Sequence, residues 1–247
     1  MEITTQKVEI PLPDGGSMGG YLARPRGDET LPAVIVYMEI FGINSHIRDV
    51  TERVAREGYV ALAPDYFHRT GPGIELDYDD RGMAEGMKLL GQLQADEMIS
   101  DANATLHFLR GRSDVRADRI GAMGFCIGGH MTYLTACETD VAAVASFYGG
   151  GIAAPQGPGG AASTVSRSAK ITGRILCLFG REDALIPPDQ IAAIESALEQ
   201  AGIRHEVVVY DGAGHGFHCD RRDSFHKEAA EDAWRQVKAL FDEALRA

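Results

Sequence analysis

The chain alternates short apolar runs with longer segments of helical periodicity, and this alternation restricts its fold more than any other feature. The runs PAVIVYM (32–38), GYVALAPD (58–65) and RIGAMGF (119–125) are largely apolar, as expected of strands covered on both faces. Further strands are predicted at 6–12, 17–24, 141–149, 174–180 and 204–210, and helices at 45–57, 80–111 in two pieces broken near Gly91, 127–138, 188–201 and 223–246. The pattern predicts an α/β fold with a mostly parallel central sheet and helices on both faces.

Two other features bear on the organisation of the chain. The first two predicted strands flank the turn PDGGS, and we expect them to pair as an antiparallel hairpin at one edge of the sheet. The segment GGGIAAPQGPGGAAS (149–163) is rich in Gly, Ala and Pro and predicts a flexible excursion over the surface. Without an internal repeat or a break in composition, residues 1–247 are expected to form a single domain.

The formal net charge of −12 at pH 7 argues against polyanionic partners. A surface of this sign repels phosphate backbones and anionic lipid headgroups, so neither nucleic acid nor membrane binding is expected. The N-terminal MEITTQKVEI does not resemble a secretory signal, and no apolar run approaches the roughly 20 residues needed to cross a bilayer. The four cysteines have neither disulfide-framework nor zinc-site spacing, which favours a reducing, cytoplasmic setting.

Chemically active side chains stand just past the ends of the predicted strands. Four such residues are Glu39, Cys126, Asp183 and His215. Ligands of parallel sheets bind at the carboxyl ends of the strands, so we expect these side chains to meet at one edge of the sheet.

The turn GFCIG (124–128) has the glycine frame of a hydrolase nucleophile turn, with a cysteine where a serine usually stands. A thiol becomes nucleophilic when an imidazole takes its proton, and a carboxylate on the far ring nitrogen orients that imidazole. The order Cys126, Asp183, His215 is the chain order of α/β-hydrolase triads. Taken alone, Cys126 is more typical of a buried structural residue and Asp183 of a helix cap. Together the three features favour a catalytic triad.

Backbone amides near the cysteine are predicted to stabilise the oxyanion that forms when a carbonyl is attacked. The Ile127 amide lies at the start of the following helix. A second amide is expected near Ile40 or Phe41, in the loop after strand 32–38. Removing one such donor typically costs about 10²–10³ in rate.

The segments EIFGIN, PDYF, GFCIGG and GHGFH together resemble the dienelactone hydrolase family, which has the α/β-hydrolase fold. The resemblance extends over roughly residues 8–245. It implies that Cys126 is the nucleophile, Asp183 the orienting acid and His215 the base of an esterase or lactonase that forms a thioester. It also implies that Glu39 contacts the resting thiol and takes its proton when substrate displaces it.

The chain departs from this family at the residues that would bind substrate. Members that open dienelactone hold its carboxylate with two arginines, and Cys219 stands where one of them is expected. In the helical region, Met83 and Met87 stand where an arginine and a tyrosine are expected. These departures predict an apolar pocket that suits a neutral ester or lactone.

Nearby polar residues are candidates for replacing the missing contacts. The arginines available for this role are Arg81, Arg221 and Arg222. Tyr66 follows a predicted strand on the same edge and is expected to shape specificity.

Three other interpretations are less favoured. A metal site at His215, His218 and Cys219 has loose spacing and no second ligand cluster, so no metal or cofactor is predicted. A hydrolase of other activated esters, such as aryl esters or phosphotriesters, would use the same Cys126. A non-enzymatic ligand-binding or redox-sensing module is disfavoured by the intact triad. We expect a small-molecule ester or lactone as the partner, and a monomer or homodimer.

Overall fold

The computed structural model describes residues 1–246, which form one eight-stranded sheet and six α-helices. The strands are β1 (Ile3–Pro11), β2 (Ser17–Pro25), β3 (Leu31–Tyr37), β4 (Val60–Pro64), β5 (Val115–Phe125), β6 (Ala143–Phe147), β7 (Arg174–Gly180) and β8 (His205–Tyr210). The helices are α1 (Ser45–Arg56), α2 (Asp80–Leu90), α3 (Ala95–Arg110), α4 (Ile127–Glu138), α5 (Pro188–Gln200) and α6 (Lys227–Leu245). The predicted alternation of strands and helices is confirmed.

The strand order in the sheet is β1-β2-β4-β3-β5-β6-β7-β8. β1 and β2 form an antiparallel hairpin, and β2 pairs antiparallel with β4, as predicted for an edge hairpin. All remaining neighbours pair in parallel. The carboxyl ends of the six parallel strands, β3 to β8, therefore lie at one edge of the sheet.

Different helices cover the two faces of the sheet. A Cβ atom at Gly121 of β5 would point at Phe241 and Leu245 of α6, whereas one at Gly124 would point at Thr132 of α4. Hence α6 and α4 lie on opposite faces. α3 packs beside α4, and α1 packs on β2 and β4. Within residues 1–246 no helix combines the length and the apolarity that crossing a bilayer requires.

α4 approaches the strand ends so closely that only glycine fits at its second residue, Gly128. A Cβ atom at Gly128 would lie 2.5 Å from the carbonyl oxygen of Tyr37 and closer still to that of Met38. The helix is buried on all sides from Ile127 to Cys137. This contact fixes the position of the turn between β5 and α4.

Two local predictions are only partly right. The last helix begins at Lys227 rather than at residue 223, because the ring of His226 caps it by accepting from the Ala229 amide at 3.2 Å. The segment 149–163 is exposed at residues 155–156 and 159–160, as predicted, but it also enters the core, where Ile152 is fully buried. Its glycines let the backbone enter the fold, since a Cβ atom at Gly149 would lie 2.6 Å from the Ser146 hydroxyl. A short 3₁₀ helix lies within this segment at Pro158–Gly160, and another follows it at Thr164–Lys170.

We expect Gly128→Ala to lower the free energy of unfolding by about 1–3 kcal/mol, because the added methyl group must displace backbone rather than a flexible side chain. Urea denaturation measures this change. Gly19→Ala is the matched control, since a Cβ atom there meets nothing within 4 Å, and it should stay within about 1 kcal/mol of wild type. Equal stability of the two variants would contradict the packing described for α4.

Candidate active site

The order of the parallel strands brings three of the predicted catalytic residues together. Cys126 follows β5 directly, Asp183 lies in the loop after β7, and His215 lies in the loop after β8. Cys126 and His215 line the same cavity, and the Asp183 carboxylate accepts a hydrogen bond from the His215 ring.

Cys126 occupies a strained backbone conformation, with φ 58° and ψ −120°. Within residues 1–246 the only other non-glycine residue with positive φ is Tyr148. Such a conformation costs on the order of 1–3 kcal/mol and persists only where the surroundings enforce it. The Cys126 amide donates to the Phe147 carbonyl at 3.1 Å, and the Cys126 carbonyl accepts from the His130 amide at 3.1 Å. The turn is therefore held from both sides.

The amides predicted to form an oxyanion hole border the cavity. Ile127 is the first residue of α4, and amides in the first turn of a helix have no acceptor within the helix. The positive end of the helix dipole also favours negative charge at this point. Ile40 and Phe41, in the loop after β3, line the cavity as well. Residues from two different loops that carry the predicted donors therefore line the same cavity as Cys126.

Asp183 and His215 form an oriented pair. The His215 Nδ1–H group donates to Asp183 Oδ2 at 2.8 Å, and the Leu185 amide donates to Oδ1 at 2.9 Å. Since a carboxylate only accepts, the proton must sit on Nδ1 in the neutral imidazole. Nε2 is buried and has no hydrogen-bond partner within the described chain. Nε2 is therefore the ring atom that can exchange a proton with a neighbouring group.

The charges around His215 favour its protonated form. Burial alone lowers the pKa of His215, but the Asp183 carboxylate and the Cys126 sulfur outweigh it and raise the pKa to about 10. The Cys126 sulfur is therefore close enough to the His215 ring to raise its pKa. Catalytic hydrogen bonds are often long or poorly aligned in the absence of substrate and shorten when substrate binds.

Glu39 is buried behind the cavity and is already paired. Its Oε1 atom accepts from Arg222 and its Oε2 atom from the Tyr78 hydroxyl, both at 3.2 Å. The Arg222 guanidinium also lies over the rings of Phe41 and Tyr78, at 5.6 and 5.7 Å from their centres. Cys126 is not among the hydrogen-bond partners of Glu39 in residues 1–246, although the family resemblance implies such a contact.

The cavity has a volume of about 540 Å³ and is mainly apolar. Met83, Met87 and Leu90 form the wall that α2 supplies. The glycine-rich segment after β6 supplies a further part of the lining. The lining residues are Ile40, Phe41, Met83, Met87, Leu90, Gly91, Leu93, Cys126, Ile127, His130, Gly150, Gly151, Gln156, Gly157, Pro158, Gly159, Leu185, His215 and Arg222.

Three predicted substrate-binding residues do not line this cavity. Tyr66 is buried, and its hydroxyl donates to the Met38 carbonyl at 2.6 Å. Arg81 and Arg221 are not part of the lining, and the Arg221 guanidinium lies 3.5 Å from the Ser45 hydroxyl. Of the three candidate arginines, only Arg222 reaches the cavity.

Sequence reasoning missed several residues of the site. His130 lies one helical turn after Cys126, and that spacing on one helix face could have identified it.

The histidines of the alternative metal site have different partners. His218 stacks on Phe125 with ring centres 5.2 Å apart, whereas His215 is hydrogen-bonded to Asp183. Among the residues described, no group of three or more His, Cys, Asp or Glu side chains could hold a metal ion.

The model of the dienelactone hydrolase family matches residues 18–245. The chain belongs to this family. A relative from Synechocystis sp. named "Putative carboxymethylenebutenolidase" is 44% identical over 247 residues, covering all of this chain and 99% of the relative. A Bradyrhizobium sp. protein named "Probable 2-oxo-3-(5-oxofuran-2-ylidene)propanoate lactonase" is 34% identical over 240 residues, covering 95% of this chain and 94% of the relative. The crystal structure of a "Putative Dienelactone Hydrolase" from Klebsiella pneumoniae superposes with a TM-score of 0.89 at 33% identity, covering 98% of this chain and all of that one.

We expect Asp183→Asn to lower the pKa of His215, because the variant removes the carboxylate while burial still opposes protonation. The wild-type imidazole should stay protonated until the pH rises through about 10, whereas the variant should lose its proton at lower pH. NMR titration of the His215 ring measures both values. His130 serves as the internal reference, because burial already lowers its pKa to about 4. An unchanged His215 titration in the variant would contradict the role of Asp183.

Proposed function

We propose that Cys126 is the nucleophile of an esterase or lactonase that cleaves neutral carboxylic esters or lactones through a thioester acyl-enzyme. One observation carries this proposal. The strained turn presents Cys126 to the same cavity as His215, whose Nε2 atom is free and whose Nδ1 atom is held by Asp183.

In the first step the proton of Cys126 passes to His215 Nε2, a transfer that the raised pKa of His215 favours, and the Cys126 sulfur then attacks the carbonyl carbon. The carbonyl oxygen becomes an oxyanion that the amides of Ile127 and Ile40 stabilise. Collapse of this intermediate breaks the carbon–oxygen bond, and the imidazolium returns its proton to the departing alkoxide. A thioester remains on Cys126. In a lactone, the departing hydroxyl stays attached to the acyl group.

In the second step water replaces the alcohol. His215 Nε2 takes a proton from water, and the resulting hydroxide attacks the thioester. The same amides stabilise the second oxyanion, and the Cys126 thiolate leaves. Asp183 stabilises the imidazolium in both steps without itself accepting the proton.

The role of Glu39 as an acceptor of the thiol proton stays a prediction. Its carboxylate accepts hydrogen bonds from Tyr78 and Arg222, whereas His215 Nε2 has no hydrogen-bond partner within the described chain. We therefore assign the first proton transfer to His215.

The cavity suits a substrate without net charge. Arg222 is the only arginine or lysine in its lining within the described chain, and the buried Glu39 carboxylate already offsets that charge. Met83 and Met87, 38% and 52% exposed, flank the opening instead. A carboxylate buried against such a wall would lose its hydration without gaining a partner. Neutral esters and lactones are therefore favoured over carboxylate-bearing dienelactone.

The remaining aspects of the proposal concern the setting of the enzyme. All four cysteines are free, which suits a reducing compartment such as the cytoplasm. The cavity is built from a single chain, so both a monomer and a homodimer are compatible with it.

We expect Cys126→Ala to reduce hydrolysis of p-nitrophenyl acetate and of a neutral lactone by at least about 10⁴-fold without unfolding the protein, because the nucleophile is lost. Cys126→Ser should also hydrolyse these substrates much more slowly than wild type, since a hydroxyl needs a stronger base than a thiol.

In wild type, dienelactone should be hydrolysed with a kcat/KM at least about tenfold below that of the neutral lactone. Initial rates and circular dichroism of each variant provide the measurements.

Cys137→Ala is the matched control for these variants. Cys137 lies on the same helix but is buried and does not line the cavity, so this variant should retain wild-type rates. A folded and fully active Cys126→Ala variant would refute the mechanism. Cys126-dependent turnover of phosphotriesters would extend the substrate range to other activated esters.

A further inference from the structure

One buried imidazole ties together both ends of the segment that forms a wall of the cavity. His130 Nδ1 lies 2.8 Å from the Gly150 carbonyl oxygen, and Nε2 lies 2.7 Å from the Thr164 hydroxyl oxygen. His130 is 3% exposed and Thr164 is 1% exposed. The chain between Gly150 and Thr164 is thus held at its base by one side chain of α4.

The chemistry of the partners fixes the direction of both hydrogen bonds. A carbonyl oxygen only accepts, so Nδ1–H donates to Gly150. Nε2 of the neutral ring must then accept, and the Thr164 hydroxyl donates to it. Burial lowers the pKa of His130 to about 4, so the ring keeps this neutral form throughout the range in which the enzyme would be assayed.

The segment has few side chains with which to fix itself. Its cavity-lining residues are Gly150, Gly151, Gln156, Gly157, Pro158 and Gly159. Glycine loses more conformational freedom on folding than any other residue, so a wall of this composition depends on anchors at fixed points. At its far end Gly159 packs against the side chain of Gln94. Backbone bonds, such as that from the Val165 amide to the Ile152 carbonyl at 2.9 Å, complete the base.

We propose that His130, through Thr164 and Gly150, is a positioning residue that sets the distance of this wall from α2 and thereby determines how well esters with bulky apolar groups bind. This inference rests on the esterase function proposed above. In this proposal a long acyl chain contacts more of the cavity lined by this wall and by the methionines of α2 than a small acyl group does. Loosening the base of the segment therefore weakens binding of the long chain and spares the chemistry.

The decisive variant is Thr164→Val, which removes one hydroxyl from a residue outside the cavity lining and keeps the shape of the side chain. In this variant His130 Nε2 is left buried without a partner, which loosens the base of the segment. The KM for p-nitrophenyl hexanoate should therefore rise about tenfold. The kcat for p-nitrophenyl acetate should stay within about twofold of wild type. Thr105→Val is the matched control: it removes an equally buried hydroxyl, which bonds within α3, and should change neither value.

Two further measurements separate positioning from general destabilisation. His130→Gln keeps one donor and one acceptor, so its KM for the hexanoate should fall between those of wild type and His130→Ala. Hydrogen–deuterium exchange should speed up in peptides covering residues 149–165 in Thr164→Val but not in Thr105→Val. An unchanged or lower KM for the hexanoate in Thr164→Val overturns the proposal. If wild type hydrolyses neither ester, the esterase function itself fails, and unchanged exchange in Thr164→Val would independently refute the anchoring role.

Discussion

The packing of α4 against the ends of the strands is the contact on which the rest of the site depends. The backbone of Gly128 lies against the carbonyls of Tyr37 and Met38, and that of Gly129 lies against the carbonyl of Phe147. The start of the helix therefore cannot move without the ends of β3 and β6. Cys126 stands where this packing enforces a positive φ. The same contact supplies a thiol facing the cavity, unpaired amides beside it and the positive end of a helix dipole.

The site separates its charges from its apolar surface. On one side, Asp183 holds His215, while Glu39 is paired with Arg222 and bonded to Tyr78. On the other side, α2 and the glycine-rich segment present apolar groups and backbone to the cavity. A carboxylate-bearing ligand would have to compete with Glu39 for the guanidinium, whereas a neutral ester meets no such competitor. We therefore propose that this chain combines the cysteine chemistry inferred for Cys126 with a substrate-binding surface suited to neutral esters.

Periodicity and chain order allowed the sequence to predict most of the fold, because fully buried strands are apolar throughout and each candidate catalytic residue follows one of them. Side-chain direction within loops was not predictable. Arg221 and Arg222 are neighbours, yet only Arg222 reaches the cavity, since no periodicity governs a loop. The composition of 149–163 suggested looseness because its anchors, His130 and Thr164, lie outside that segment. Tyr66 was misplaced because its hydroxyl is used inside the fold, on the Met38 carbonyl.

The thioester on Cys126 is the central claim, and trapping it tests that claim most directly. Wild-type protein mixed with p-nitrophenyl acetate would be quenched in acid within the first turnover, digested and mapped by mass spectrometry. The mechanism predicts one acetyl group, carried by the peptide that contains Cys126 and released by hydroxylamine at neutral pH, as expected of a thioester. An acetyl group on a serine or histidine peptide, or rapid turnover with no acetylated peptide at any time, would contradict it.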